Sequence, residues 1–102
     1  MITVSFEPPP PIEEGRYRVF ATLRQPRNGG NTFLKVGFTR NGFPTGREGE
    51  QFDNETIKDA FLRLLNELRE EVKKTFSKCV DEIMIMLNLI TRYEQEVIRV
   101  TS

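Results

Sequence analysis

The sequence predicts an α+β fold, with an antiparallel sheet of four strands in its first half and a long amphipathic helix after it. Two observations lead there. Between Arg16 and Thr39, two runs alternate apolar and polar residues with the period of two that a half-buried strand requires. From Gln51 to Ser102 there is neither Gly nor Pro, and apolar residues recur three and four positions apart, the spacing of one helix face. At 102 residues the chain can build one core but not two independent ones. A single domain is therefore expected, with a basic sheet over 1–53, a long helix over 54–78 and a C-terminal helical extension over 79–102.

Ile2 to Phe6 is a short β-prone run that must end at Glu7, because Pro8 to Pro11 have no N–H to give to a ladder. The four prolines read as a stiff polyproline spacer, and the competing reading is a ligand for an aromatic groove on another protein. Ile12 to Gly15 leads into the next strand. There Tyr17, Val19, Ala21 and Leu23 point to one side, and Arg16, Arg18, Phe20, Thr22 and Arg24 to the other. In the second run Leu34, Val36 and Phe38 form the apolar side, opposite Phe33, Lys35, Gly37 and Thr39. The two pair as a hairpin through the loop Gln25 to Asn31, whose Asn28, Gly29 and Gly30 tolerate positive φ and which lifts Arg27 to its tip. A second Arg-Asn-Gly at Arg40 to Gly42 is another turn signal. Phe43 to Phe52, rich in glycine and polar residues, is either a plain loop or an irregular strand.

Asp53 or Asn54 is the expected N-cap of the helix, with Glu55 in the first turn, where a carboxylate suits the helix dipole. Ile57, Phe61, Leu64, Leu65, Leu68 and Val72 mark its buried stripe. The same phase runs on through Phe76, Val80, Ile83, Leu87 and Ile90, and as one helix this would measure about 60 Å at ~1.5 Å per residue. A domain of this size has a radius of gyration of about 13 Å. The helix therefore either breaks near Ser77 and Lys78 or protrudes and packs on a second copy. Ile83 to Ile90 is apolar on all sides, which favours burial at a subunit interface and a homodimer through the helices. Helix is expected for 79–92 and a short strand for 97–101.

The 15 basic and 15 acidic residues cancel, yet they are segregated. Arg16, Arg18, Arg24, Arg27, Lys35, Arg40 and Arg47 occupy one stretch that contains no acid, while Glu67, Glu70, Glu71, Asp81, Glu82, Glu94 and Glu96 crowd the C-terminal half. A hairpin whose outer side shows Arg and Lys beside Phe20 and Phe33 offers what unpaired nucleic acid needs, cations for its phosphates and flat rings for its bases. Taken singly, Arg18, Lys35 and Arg40 read as solvated charges, and Phe20 and Phe33 read equally well as core or interface residues. Their joint placement carries the argument.

A hydrophobic content of 37% and a mean hydropathy of −0.46 belong to a chain that buries a core. No apolar run approaches the ~18 to 20 residues of a membrane helix, and no basic leader precedes an apolar segment. A cytoplasmic protein, or one inside a host cell if viral, is expected, without a membrane partner. Cys79 is the only cysteine, which excludes an intrachain disulfide or a multi-cysteine metal site, and it reads as a small buried hydrophobe. The absence of His removes the commonest general base and the commonest metal ligand. Glu13-Glu14 and Asp81-Glu82 are adjacent pairs whose side chains diverge, so they build no two-carboxylate site. No glycine here is followed by the Lys-Ser or Lys-Thr of a phosphate-binding loop. No enzymatic activity, cofactor or metal is expected.

The string Pro44-Thr45-Gly46-Arg47-Glu48-Gly49-Glu50-Gln51-Phe52-Asp53-Asn54-Glu55 follows three strands and precedes a helix. It resembles the single-stranded-DNA-binding domain of the transcriptional coactivator positive cofactor four and its bacterial and phage relatives. In that family a Gly-Arg/Lys-Lys-Gly turn opens the last strand, an apolar residue and a cap follow, and a Glu-containing first turn starts a long helix. Here Gly46, Arg47 and Gly49 match the turn, Phe52 the apolar position, Asp53 the cap and Ile57 the first buried helix position, while Arg16-Tyr17 through Leu23-Arg24 looks like the basic second strand. The resemblance spans residues 2–68. It implies a curved four-stranded sheet whose concave cationic face holds unpaired DNA, a helix backing that sheet, and a dimer of two chains. It further implies phosphate contacts for Arg16, Arg24 and Arg47, and a base-stacking place for Phe43. Glu48 departs from the pattern by standing where the family has a second base.

The expected function is non-enzymatic binding of single-stranded DNA or RNA through Arg16, Arg18, Phe20, Arg24, Arg27, Phe33, Lys35, Arg40, Phe43 and Arg47. The alternative is a protein- or peptide-binding adaptor or homo-oligomeric module, from a virus or mobile element, that grips its partner with a sheet edge or with Ile83 to Ile90.

Overall fold

The computed structural model describes residues 7–27, 29–51 and 54–101. The expected strand at Ile2 to Phe6 and the cap candidate Asp53 lie outside the described residues. The chain runs β1 (Ile12–Glu14), β2 (Tyr17–Arg24), β3 (Phe33–Arg40), β4 (Phe43–Glu50), α1 (Ile57–Thr75) and α2 (Val80–Thr101). The strands form one antiparallel sheet in the order β1-β2-β3-β4. Its first strand is thus the segment that reads in the sequence only as a lead-in, and Phe43–Glu50 is a full strand and not a loop.

Turn chemistry sets the register. Asn41 and Gly42 both take positive φ, 52° and 79°, the two-residue turn whose twist matches the strands it joins. Arg40 therefore pairs with Phe43, and counting outward brings Phe33 opposite Glu50. β2 meets β3 from Tyr17–Arg40 to Arg24–Phe33. The alternation then sends Tyr17, Val19, Ala21, Leu34, Val36 and Phe38 to one face, where all are buried. Both helices cover that face, α1 over β3 and β4 and α2 over β1 and β2. Phe61, Leu64, Leu65 and Leu68 of α1 and Met86, Leu89, Ile90 and Tyr93 of α2 complete a single core with it.

The helix does break. Thr56, not Asn54, caps α1, its hydroxyl accepting from the Asp59 N–H at 3.0 Å. After Thr75, Phe76 turns inward against Phe38, ring centroids 6.2 Å apart, and the chain reverses through 76–79. The reversal lets two apolar stripes share one sheet face, and it resets the helical phase. Val80, in phase with α1 by sequence, is 69% exposed, whereas Met86, Leu89, Tyr93 and Val97 carry the buried stripe. α2 continues to Thr101, which corrects the strand expected at 97–101. Val97 sits one helical turn beyond Tyr93 and is fully buried, so packing overrides the β-preference of Val and Ile there.

The proline run is more than a spacer. The buried Tyr93 hydroxyl donates to the Pro9 carbonyl at 2.7 Å, and burial pushes the phenol up to about 12. No helix among the described residues is long and apolar enough to cross a membrane, and no group of three or more His, Cys, Asp or Glu among them could hold a metal ion.

Candidate nucleic-acid interface

The second face of the sheet is not covered by either helix. Its side chains fall into rows that run across the strands. Glu13, Arg18, Thr39 and Pro44 form the first, then Phe20, Gly37 and Gly46, then Thr22, Lys35 and Glu48, and last Arg24, Phe33 and Glu50. Phe20 lies across Gly37, where an added Cβ would stand 2.7 and 2.9 Å from the ring carbons Cε1 and Cε2. Only glycine lets that ring rest flat on the sheet. Phe33 is 39% exposed. The Arg18 guanidinium lies over the Phe20 ring, 5.4 Å from its centroid, and that of Arg24 over Phe33 at 5.3 Å, so each ring has a cation at its face.

Three adjoining depressions follow these rows. One of about 230 Å³ lies over Phe20, Gly37 and Gly46, one of about 300 Å³ lies between Thr22, Arg24, Phe33 and Glu48, and one of about 610 Å³ lies between Phe33, Glu50 and the loop residue Arg27. Lys35 and Glu48 border the first two, and Arg24 and Phe33 the last two, so they read as one shallow channel.

Of the residues expected to meet nucleic acid, Arg18, Phe20, Arg24, Phe33 and Lys35 share this face and Arg27 stands at its end. Arg16, Arg40, Phe43 and Arg47 do not. Arg40 and Arg47 share the side of Phe38 and Val36, and each meets a carboxylate from a helix. Arg47 is held by Glu67 at 2.9 Å and Glu71 at 3.6 Å. Arg40 pairs with Glu82 at 2.5 Å and lies over the Phe76 ring. Arg16, grouped with Arg18 by alternation, falls in the turn before β2 and reaches the same Glu82. Phe43 is 59% exposed but rests edge-on against Phe76, at 6.0 Å, on the helix side.

Glu82 therefore ties the sheet to α2, receiving the Tyr17 hydroxyl on Oε1 and Arg40 on Oε2. The Tyr17 hydrogen bond, then that from Arg40, holds its carboxyl below the ordinary value of 4.5. A depressed folded value means that Glu82 stabilises the fold above the unfolded value and that this contribution disappears as pH falls through the folded one. Urea midpoints measured from about pH 7 to about pH 3 should show Glu82→Gln destabilised near neutrality and converging on the parent chain on the acid side. A gap that stays constant across that range would rule out this role.

The acids on the open face were not anticipated. Glu13, Glu48 and Glu50 join Arg18, Arg24 and Lys35 there, so the strand residues of this face carry equal numbers of each sign, with Arg27 added from the loop. The signal that would have found them is the Asn41-Gly42 turn, which fixes the register that brings Glu48 opposite Lys35. The signs remain sorted by strand, with cations on the two inner strands, Arg18 and Arg24 on β2 and Lys35 on β3, and carboxylates on the two outer ones, Glu13 on β1 and Glu48 and Glu50 on β4. The chain matches no protein-family model, no curated protein and no solved structure.

Proposed function

We propose that the protein binds single-stranded nucleic acid on the open face of its sheet, with phosphates along Arg18, Arg24, Arg27 and Lys35 and bases on Phe20 and Phe33. One observation carries this reading: two rings, each with a guanidinium over it, line adjoining depressions that no other described part of the chain covers. The reading stands apart from the resemblance to the positive cofactor four domain, since Phe43 and Arg47, two positions that resemblance singles out, lie on the helix side.

A fluorescence-anisotropy titration with labelled oligonucleotides tests it. Four phosphate contacts on a single strand give a slope of log K against log salt of about −3. Absence of binding at low salt would remove the nucleic-acid reading and put the adaptor alternative ahead.

A second reading concerns self-association. Val80, Met84 and Ile85 are 69, 74 and 46% exposed on the outer side of α2, which also carries Asp81 in its first turn and Arg99 in its last. Two chains meeting through the start of α2 would bury that apolar end on both. Sedimentation equilibrium should then give a dimer mass for the parent chain and a monomer mass for Met84→Glu. A monomeric parent chain would end this reading.

A further inference from the structure

The two carboxylates of β4 are the feature of the open face that phosphate binding does not use. On the helix side, Glu14, Glu55, Glu67, Glu71 and Glu82 are each bound to an arginine. Glu48 and Glu50 are exposed, and neither side chain takes an ion pair or hydrogen bond among the described residues, although Lys35 stands across from Glu48. Each also occupies a defined place. Arg24, Phe33 and Glu50 form one row on successive strands, cation then ring then carboxylate, and Glu48 borders the adjoining depression with Arg24 and Phe33.

From this order we infer that Glu50, seconded by Glu48, reads the base that stacks on Phe33 and selects bases carrying an exocyclic amino group over thymine or uracil. The inference rests on the nucleic-acid reading of the same face. Where its phosphates follow Arg24 and Arg27, a bound strand projects its bases across β3 toward β4, about 9.6 Å away at ~4.8 Å per strand. A base lying on Phe33 then turns its outer edge to Glu50. An ionised carboxylate only accepts hydrogen bonds. Cytosine offers it an amino donor at N4, adenine one at N6 and guanine one at N2, whereas thymine and uracil have no amino group and flank their single N3–H with two carbonyl oxygens that repel it. Unpaired bases are open to such contacts on their Watson–Crick edges. The carboxylates thus give up some attraction for phosphate in exchange for discrimination between bases.

The experiment compares fluorescein-labelled oligo(dC) and oligo(dT) of equal length, two pyrimidines, by anisotropy with the full chain at low salt. Oligo(dC) should bind at least about fivefold more tightly than oligo(dT). Glu50→Gln, whose amide both donates and accepts, should bring the ratio close to one, mainly by strengthening oligo(dT) binding. Glu48→Gln should lower the ratio by a smaller factor. Both side chains are exposed, so unchanged circular dichroism and urea midpoints check that the variants fold. Equal binding of the two oligonucleotides by the parent chain, or a ratio that neither variant alters, overturns the base selection and leaves nucleic-acid binding intact. Failure of either oligonucleotide to bind overturns both.

Discussion

Replacing Phe33 by Ala should weaken the binding of a single-stranded oligonucleotide by about 5- to 150-fold, the equivalent of the ~1 to 3 kcal/mol that stacking a base on an aromatic ring contributes. The large effect follows from position. Phe33 is 39% exposed, lies where two of the depressions meet, and has the Arg24 guanidinium over its ring and Glu50 across from it on β4. Arg24→Ala removes a phosphate contact as well as the cation over the Phe33 ring, so it should also flatten the salt slope by about 0.7. Arg47→Ala supplies the contrast. Its guanidinium is spoken for by Glu67 and Glu71 on the side that the helices cover, and its loss should leave oligonucleotide affinity unchanged. If Arg47→Ala instead weakened binding as much as Phe33→Ala, the interface would have to move to the helix side, toward Phe43 and the positions that resemble the positive cofactor four domain.

That contrast also shows where the sequence was legible. A period of two is local information, so Tyr17, Val19, Ala21, Leu34, Val36 and Phe38 could be assigned to a core face without knowing what covers it. The same parity assigns Arg40, two residues from Phe38, to that face, and its partner Glu82 is then a consequence of helix placement. Arg16 escapes the rule because it stands in a turn and not in the strand. The charge balance of the open face is not local. A stretch free of acids reads as a cationic surface only until the meander folds Glu13 from before it and Glu48 and Glu50 from after it onto the same side. The second helix was harder still. Nothing in Phe76 to Cys79 announces how far the phase rotates, and without that rotation Val80 looks buried and Tyr93 has no assigned place.

Phe38→Ala should produce the largest loss of stability, and it isolates packing from binding on a single strand. Phe38 is completely buried, pairs across to Val19, and has ring centroids 6.2 Å from both Tyr17 and Phe76. It therefore joins the sheet to the point where α1 ends and the chain reverses toward α2. Truncating a buried Phe costs about 3 to 5 kcal/mol, because the transfer free energy is lost and a cavity remains. A domain has only ~5 to 15 kcal/mol in total. At ~4 to 8 °C per kcal/mol for a domain of this order, the melting temperature should fall by about 12 °C or more. Phe33, five residues earlier, points to the opposite face of the same strand, so its removal should move the urea midpoint little while costing affinity. The folded fraction of Phe38→Ala should bind oligonucleotide as the parent chain does. A stability loss under about 1 kcal/mol, far below what an emptied core site costs, would contradict the junction of sheet and helices described here. A large loss from Phe33→Ala would mean that its ring is a packing residue, which leaves Phe20 alone on the open face and takes away the stacking pair on which the binding proposal stands.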